Sequence, residues 1–120
     1  MYAKVRDAGK FVAQHSCGDI RAIMEDLYGL GLNVYQTYQP EIYGLDYAAK
    51  VMRGKIAIWG GISTQRDLPD KTPEEIQEIT RETLNCFKDH GGLIAAPTHA
   101  IPDDVPPENI VAMLEVLKNQ

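Results

Sequence analysis

The sequence predicts an α/β fold of four βα units sharing a parallel sheet, read as half of a (β/α)8 TIM barrel. Three observations predict it. Short β-favouring runs alternate strictly with longer runs of helical periodicity, and such alternation gives parallel strands joined by right-handed helical crossovers. Residues 55–59, Lys-Ile-Ala-Ile-Trp, are almost wholly apolar, as strands buried on both faces are. The loops at the two ends of the strands also differ in chemistry. Those after the strands, residues 15–18, 39–41, 60–65 and 97–101, hold His, Cys, Gln and Glu, while the opposite ones are short and glycine-rich. In barrels and open sheets alike, sites lie at the C-terminal strand ends. Four units suit half a barrel better than a complete open sheet, although alternation alone fits both.

Residues 1–8 read as the last turns of a helix stopped by Gly9. Strand one is residues 10–14, and Asp19 is placed to cap a helix over residues 20–28 with Ile20, Ile23, Met24 and Leu27 inward. Gly29 and Gly31 end that helix. Strand two is residues 32–38, rich in Val34, Tyr35, Thr37 and Tyr38. Gln39-Pro40-Glu41 breaks it, and Asp46 would cap a helix through Met52, ended by Gly54. Strand three is residues 55–59, with Trp59 expected in the core, and a polar loop covers residues 60–71. Thr72-Pro73-Glu74-Glu75 is a capping box with proline at the first helical position. It opens a helix to about His90, with Ile76, Ile79, Thr83 and Phe87 inward. Gly91-Gly92 stops it. Strand four is residues 93–96, and the last helix, residues 107–118, presents Ile110, Met113, Leu114 and Leu117.

The chain of 120 residues makes a single domain, with 44% hydrophobic residues for a core and a net charge of −5 that gives no footprint for nucleic acid. No apolar run is long enough to span a bilayer, and the N-terminus lacks a signal-peptide core. Two cysteines, Cys17 and Cys86, make no disulfide framework, so a reducing cytoplasm is the expected compartment. A start inside a helix tail is expected of a piece of a longer protein.

His15 and Cys17 are two apart at a strand exit, so extended backbone turns both side chains the same way. An imidazole and a thiol there are half of a metal site, and His99, past strand four, can approach them across a barrel mouth. Three such ligands suit zinc and leave a position open for catalysis. The bland alternative is that both histidines hydrogen-bond loop backbone. Glu41 is a fourth ligand, a general base or a solvated carboxylate. Gly60 and Gly61 let a ligand approach the backbone or make a tight turn. Gln39 and Gln65 are candidates to bind a polar substrate group; Arg66 is a candidate for an anionic group or, more commonly for such a residue, a surface charge. Cys86 reads as packing, His90 as a helix-dipole partner, and Asp103-Asp104 as a polar loop.

The order His15-Ser16-Cys17-Gly18, Gly60-Gly61-Ile62-Ser63-Thr64-Gln65, Lys71-Thr72-Pro73-Glu74-Glu75, Pro97-Thr98-His99-Ala100-Ile101 and Pro107-Glu108-Asn109-Ile110 resembles the C-terminal half of the uroporphyrinogen decarboxylase superfamily. The resemblance covers nearly the whole chain from Lys10. It implies a (β/α)8 barrel and a place near the zinc-dependent, cobalamin-linked methyltransferases, whose His-x-Cys-Gly signature His15, Cys17 and Gly18 match. His15 and Cys17 would then be zinc ligands. The third ligand of that branch is typically a cysteine, where this chain has His99; the decarboxylases carry a substrate-contacting histidine there. The implied activity is methyl transfer from methylcobalamin on a partner corrinoid protein to a zinc-activated thiol. Its rivals are a decarboxylase-like lyase acting on a tetrapyrrole, with His99 polarising the substrate, and a non-catalytic half-barrel serving in assembly. A four-stranded half leaves open sheet edges, so a homodimer or a separate N-terminal half-barrel is the expected partner.

Overall fold

Four parallel strands, β1 (Ala13–His15), β2 (Val34–Tyr38), β3 (Ala57–Ile62) and β4 (Leu93–Pro97), lie side by side in the order of the chain. Sequential order without a reversal is the pattern of a barrel; a doubly wound sheet changes direction at a switch point. The chain is therefore four βα units of a half-barrel. The structure, a computed structural model, describes residues 1–88 and 92–119.

Register fixes which residues share a face. Gln14, Tyr35, Ile58 and Leu93 align across the sheet, as do His15, Gln36, Trp59 and Ile94 in the next row. Successive residues of a strand point to opposite faces, so the two rows lie on opposite sides. The first row's Tyr35 and Ile58 are buried under the helices. They join Val12, Met24, Leu32, Tyr38, Tyr43, Met52 and Phe87 in one core. A second core, Ile62, Leu68, Ile76, Val105, Ala112 and Met113, sits between the end of β3 and the later helices. Trp59, expected in the core, is 41% exposed because the other face of the sheet carries no helix layer. Ile94 of the same row is 47% exposed and Phe11, before β1, 82%.

The helices are α1 (Tyr2–Asp7), α2 (Met24–Leu30) after a 3-10 turn at Arg21–Ile23, α3 (Pro40–Tyr43), α4 (Leu45–Tyr47) running into a π turn at Ala48–Met52, α5 (Asp67–Asp70), α6 (Pro73–Phe87) and α7 (Pro107–Lys118). Gly31 ends α2 in the left-handed conformation, φ 101°, which a residue without Cβ adopts freely. Thr72 and Glu75 complete the capping box of α6.

Several expected boundaries move. β1 begins three residues later and ends one residue later than residues 10–14 suggested, because Val12 alone of that run is buried and the ladder pairs His15 with Gln36. β3 begins and ends later than residues 55–59 and runs through Gly60 and Gly61, so the expected loop begins only at Ser63 and contains α5. Helical structure after β2 starts at Pro40, which suits the first turn; Asp46 lies inside α4 and pairs with Lys50 instead of capping. Ile23 falls in the 3-10 turn before α2 and is exposed. On α6 Thr80 takes the buried place expected for Ile79, its hydroxyl donating to the Ile76 carbonyl at 2.7 Å. On α7 Asn109 and Ala112 are buried and Leu114 is exposed. The expected end of α6 at His90, and Gly91, lie outside the described residues.

Candidate metal centre

The C-terminal ends of all four strands meet at one rim. β1 ends at His15, and the next three residues turn across the mouth. The Ser16 amide donates to the Gln36 carbonyl at 2.7 Å. Tyr35 donates to the Ser16 carbonyl at 2.7 Å and Tyr43 to the Gly18 carbonyl at 2.6 Å. Cys17 is thus held between two fixed carbonyls. Asp19 anchors the following turn, accepting from the Arg21 amide at 3.0 Å and pairing with its guanidinium at 2.5 Å. The Arg21 side chain, then its amide, hold the Asp19 carboxyl down at about 2.

On the other side of the mouth, Thr98 follows β4. Its hydroxyl lies 3.1 Å from that of Thr64 and accepts from the Thr64 amide at 3.2 Å, and its carbonyl accepts from the Thr37 hydroxyl. Thr98 is buried, and the next residue, His99, projects into solvent.

These two arms bring His15, Cys17 and His99 together. Each offers a ligand atom, and the three atoms lie within 4.8 Å of one another. The imidazoles meet edge to face, with centroids 5.7 Å apart. Nε2 of His15 lies 3.3 Å from the Cys17 sulfur. Two tetrahedral ligands of zinc, a nitrogen at about 2.0 Å and a sulfur at about 2.3 Å, stand about 3.5 Å apart. One thiol and two imidazoles are also donors that zinc prefers. The donor set fits that metal, and all three side chains are exposed.

Beside this cluster the amides of Gln39 and Gln65 meet. Gln39 accepts from the Gly18 amide at 2.9 Å and donates to Gln65 at 3.2 Å and to Glu41 at 3.4 Å. Gln39 therefore links the Cys17 turn to Glu41. The other oxygen of Glu41 is buried with no hydrogen-bond partner among the described residues. Arg66 is taken up by Asp67 at 2.9 Å, which holds its guanidinium charged. Gly60 and Gly61 are strand residues. A Cβ on Gly60 would meet the Tyr38 backbone at 2.9 Å, and one on Gly61 the Thr83 methyl at 2.9 Å. Chain packing thus accounts for both glycines, and their φ of 135° and 94° suits residues without a side chain.

Cys86 is half-buried, its thiol 3.7 Å from the Leu45 carbonyl and pushed up by burial, as a packing residue's would be. It forms no disulfide with Cys17. Asp103 and Asp104 are exposed loop residues; His90 lies outside the described residues. Sequence pattern gives no site role to Gln36, Thr37, Thr64, Thr98, Tyr35 or Tyr43, the polar groups that hold the two arms. A polar residue in an otherwise β-favouring strand was the signal available for Gln36.

Half-barrel and rim define an α/β-barrel protein with its site at the C-terminal strand ends. The model of the uroporphyrinogen decarboxylase family, "Uroporphyrinogen decarboxylase (URO-D)", matches residues 1–120, and the chain belongs to that family. Its structure is similar to that of a methyltransferase from Methanosarcina mazei, with a TM-score of 0.76 at 18% identity, over 98% of this chain and 34% of that one. The chain thus spans about a third of that protein's length. No curated protein matches it. Among the described residues, no helix is long and apolar enough to cross a membrane.

Proposed function

We propose that this chain carries the metal site of a zinc-dependent, corrinoid-linked methyltransferase that activates a thiol as methyl acceptor. The observation that carries the reading is the convergence of His15, Cys17 and His99 within 4.8 Å at the C-terminal rim. The Methanosarcina methyltransferase it is similar to supports the same direction. His15 through Nε2, Cys17 through its sulfur and His99 through an imidazole nitrogen would hold zinc. Bound zinc would supply Lewis acidity that favours a substrate thiol as its thiolate. Glu41 would take the thiol proton; Gln39 holds one of its carboxylate oxygens, and the other is buried with no partner among the described residues. Gln39 and Gln65 would orient the substrate's polar end. The thiol sulfur would then take a methyl group from methylcobalamin on a partner corrinoid protein. The open sheet face would be covered by further βα units, from a second copy or a separate N-terminal half-barrel.

Metal content per chain, by elemental mass spectrometry on protein expressed with zinc supplied, tests the reading. Near-stoichiometric zinc is expected, and its loss in a His15→Ala/Cys17→Ala double variant. A chain that carries none under those conditions, or a double variant that keeps it, ends the zinc assignment.

A further inference from the structure

We propose, resting on the metal reading above, that Gln36 is the positioning residue of this centre: it sets the tautomer of His15 and ties both metal-holding arms to β2. A backbone carbonyl oxygen can only accept. The Gln36 amide nitrogen lies 3.4 Å from the Thr98 carbonyl oxygen. The amide oxygen must then turn the other way, and there it meets Nδ1 of His15. An amide oxygen also only accepts, so Nδ1 carries the proton. A neutral imidazole protonated on Nδ1 has its lone pair on Nε2. That is the nitrogen 3.3 Å from the Cys17 sulfur, so the ring presents its free lone pair to the same space as the thiol. Without metal, the thiol hydrogen is the donor in that contact.

The contact is built into the sheet. His15 and Gln36 are Cα partners in the β1–β2 ladder, on the face that carries no helices. The carbonyl that orients Gln36 is itself held, since Thr37 donates to it and Thr64 binds the Thr98 hydroxyl. Gln36 therefore bridges the arm that ends in His15 and Cys17 and the arm that carries His99. A residue in the middle of the rim, with no ligand atom of its own, sets the spacing of the three that have one. Groups that hold a ligating histidine by its second nitrogen change metal affinity by about 10–100-fold when lost.

The test uses the full 120-residue chain with 15N-labelled histidine, as wild type, Gln36→Leu and Gln36→Glu. Leucine removes acceptor and donor together. Glutamate keeps an acceptor for Nδ1 and loses the donor to Thr98. The imidazole 15N shifts of the metal-free proteins report the tautomer, competition with a chromophoric chelator reports zinc affinity, and circular dichroism reports the fold. The expected wild-type ring is protonated on Nδ1. Gln36→Leu should shift it toward the Nε2–H form and weaken zinc binding about 10–100-fold; Gln36→Glu should keep the Nδ1–H form and bind zinc more tightly than Gln36→Leu. A wild-type ring protonated on Nε2 overturns the proposal with no variant needed. If Gln36→Leu does not fold, a Gln36→Glu ring protonated on Nε2 overturns it. Zinc binding of unchanged strength in a folded Gln36→Leu ends the role of Gln36 and leaves the metal reading standing. Wild type that binds no zinc ends both.

Discussion

The carbonyls on either side of Cys17 are held by buried phenols, and this makes the rim sensitive to alkali. Tyr35 is fully buried. Burial, and then the Tyr43 hydroxyl 3.0 Å away, push its hydroxyl well above the ordinary tyrosine range. Burial pushes Tyr38 the same way, against the Ala48 amide that donates to it. In an unfolded chain both would ionise near pH 10. Folded, they keep their protons to higher pH, so the folded state binds more protons in alkali. Their contribution to stability is full below about pH 10 and is lost as pH rises above it. Phenolate absorbance should therefore rise in two stages, the second coinciding with loss of the helical circular dichroism signal. Tyr35→Phe should shrink that second stage. A single stage, complete while the dichroism is intact, would mean that neither hydroxyl is protected.

At the scale of elements, the most consequential bond is made by α7. Asn109 lies in its first turn, 1% exposed, and donates to the Leu68 carbonyl at 2.8 Å and the Lys71 carbonyl at 2.7 Å. Those carbonyls flank the end of α5, so one amide fastens the last helix to the loop beyond β3 and closes the second core. Stranding a buried acceptor costs about 1–3 kcal/mol; the Lys71 carbonyl, only part-buried, adds less, and removing the Asn109 side-chain oxygen, itself buried with no partner among the described residues, offsets some of the loss. Asn109→Ala should destabilise the chain by about 1–3 kcal/mol in urea unfolding, within the range of ordinary single substitutions. Val111→Ala, on the exposed side of the same helix, should stay within about 0.5 kcal/mol. Equal effects would mean that helix packing, and not the amide, sets the joint. Asn109 shows what the sequence could and could not convey. Pro107 marked the start of α7, and Thr72-Pro73 that of α6, because capping is local chemistry. Pairing across the fold is not local. β3 was ended at Trp59 because glycines usually punctuate; here they continue the strand, where the Tyr38 backbone and Thr83 come too close for a Cβ. The convergence of His15, Cys17 and His99 was legible because residues at strand ends fall on one rim of a parallel sheet. Gln36 was not, since its part depends on a register partner 21 residues away.

At the scale of the whole molecule, the exposed row is the feature that decides behaviour in solution. Trp59 and Ile94 continue the line of His15 and Gln36 across the bare face of the sheet, with Phe11 beside the start of β1. Both outer strands have a free edge, since β1 pairs only with β2 and β4 only with β3 among the described residues. A groove of about 1020 Å³ runs beside β4 between α6 and α7, lined by Arg81, Leu84, Lys88, Ile94 and Glu115. Its lining includes none of the His-Cys cluster and takes in residues of β4, an outer strand. Bare apolar sheet and free parallel edges favour association. A second copy would offer a partner to both edges, β4 of each facing β1 of the other. Sedimentation at micromolar concentration should therefore give a species larger than one chain. Trp59, the single tryptophan, should report the same event: its emission should move to longer wavelength on dilution as the face is uncovered. Trp59→Glu puts a charge on that face and should yield monomer. A wild-type chain that stays monomeric at high concentration, with water-exposed tryptophan emission throughout, would rule out pairing between copies. The row would then be left to a separate half-barrel, whose addition should shift Trp59 emission to shorter wavelength.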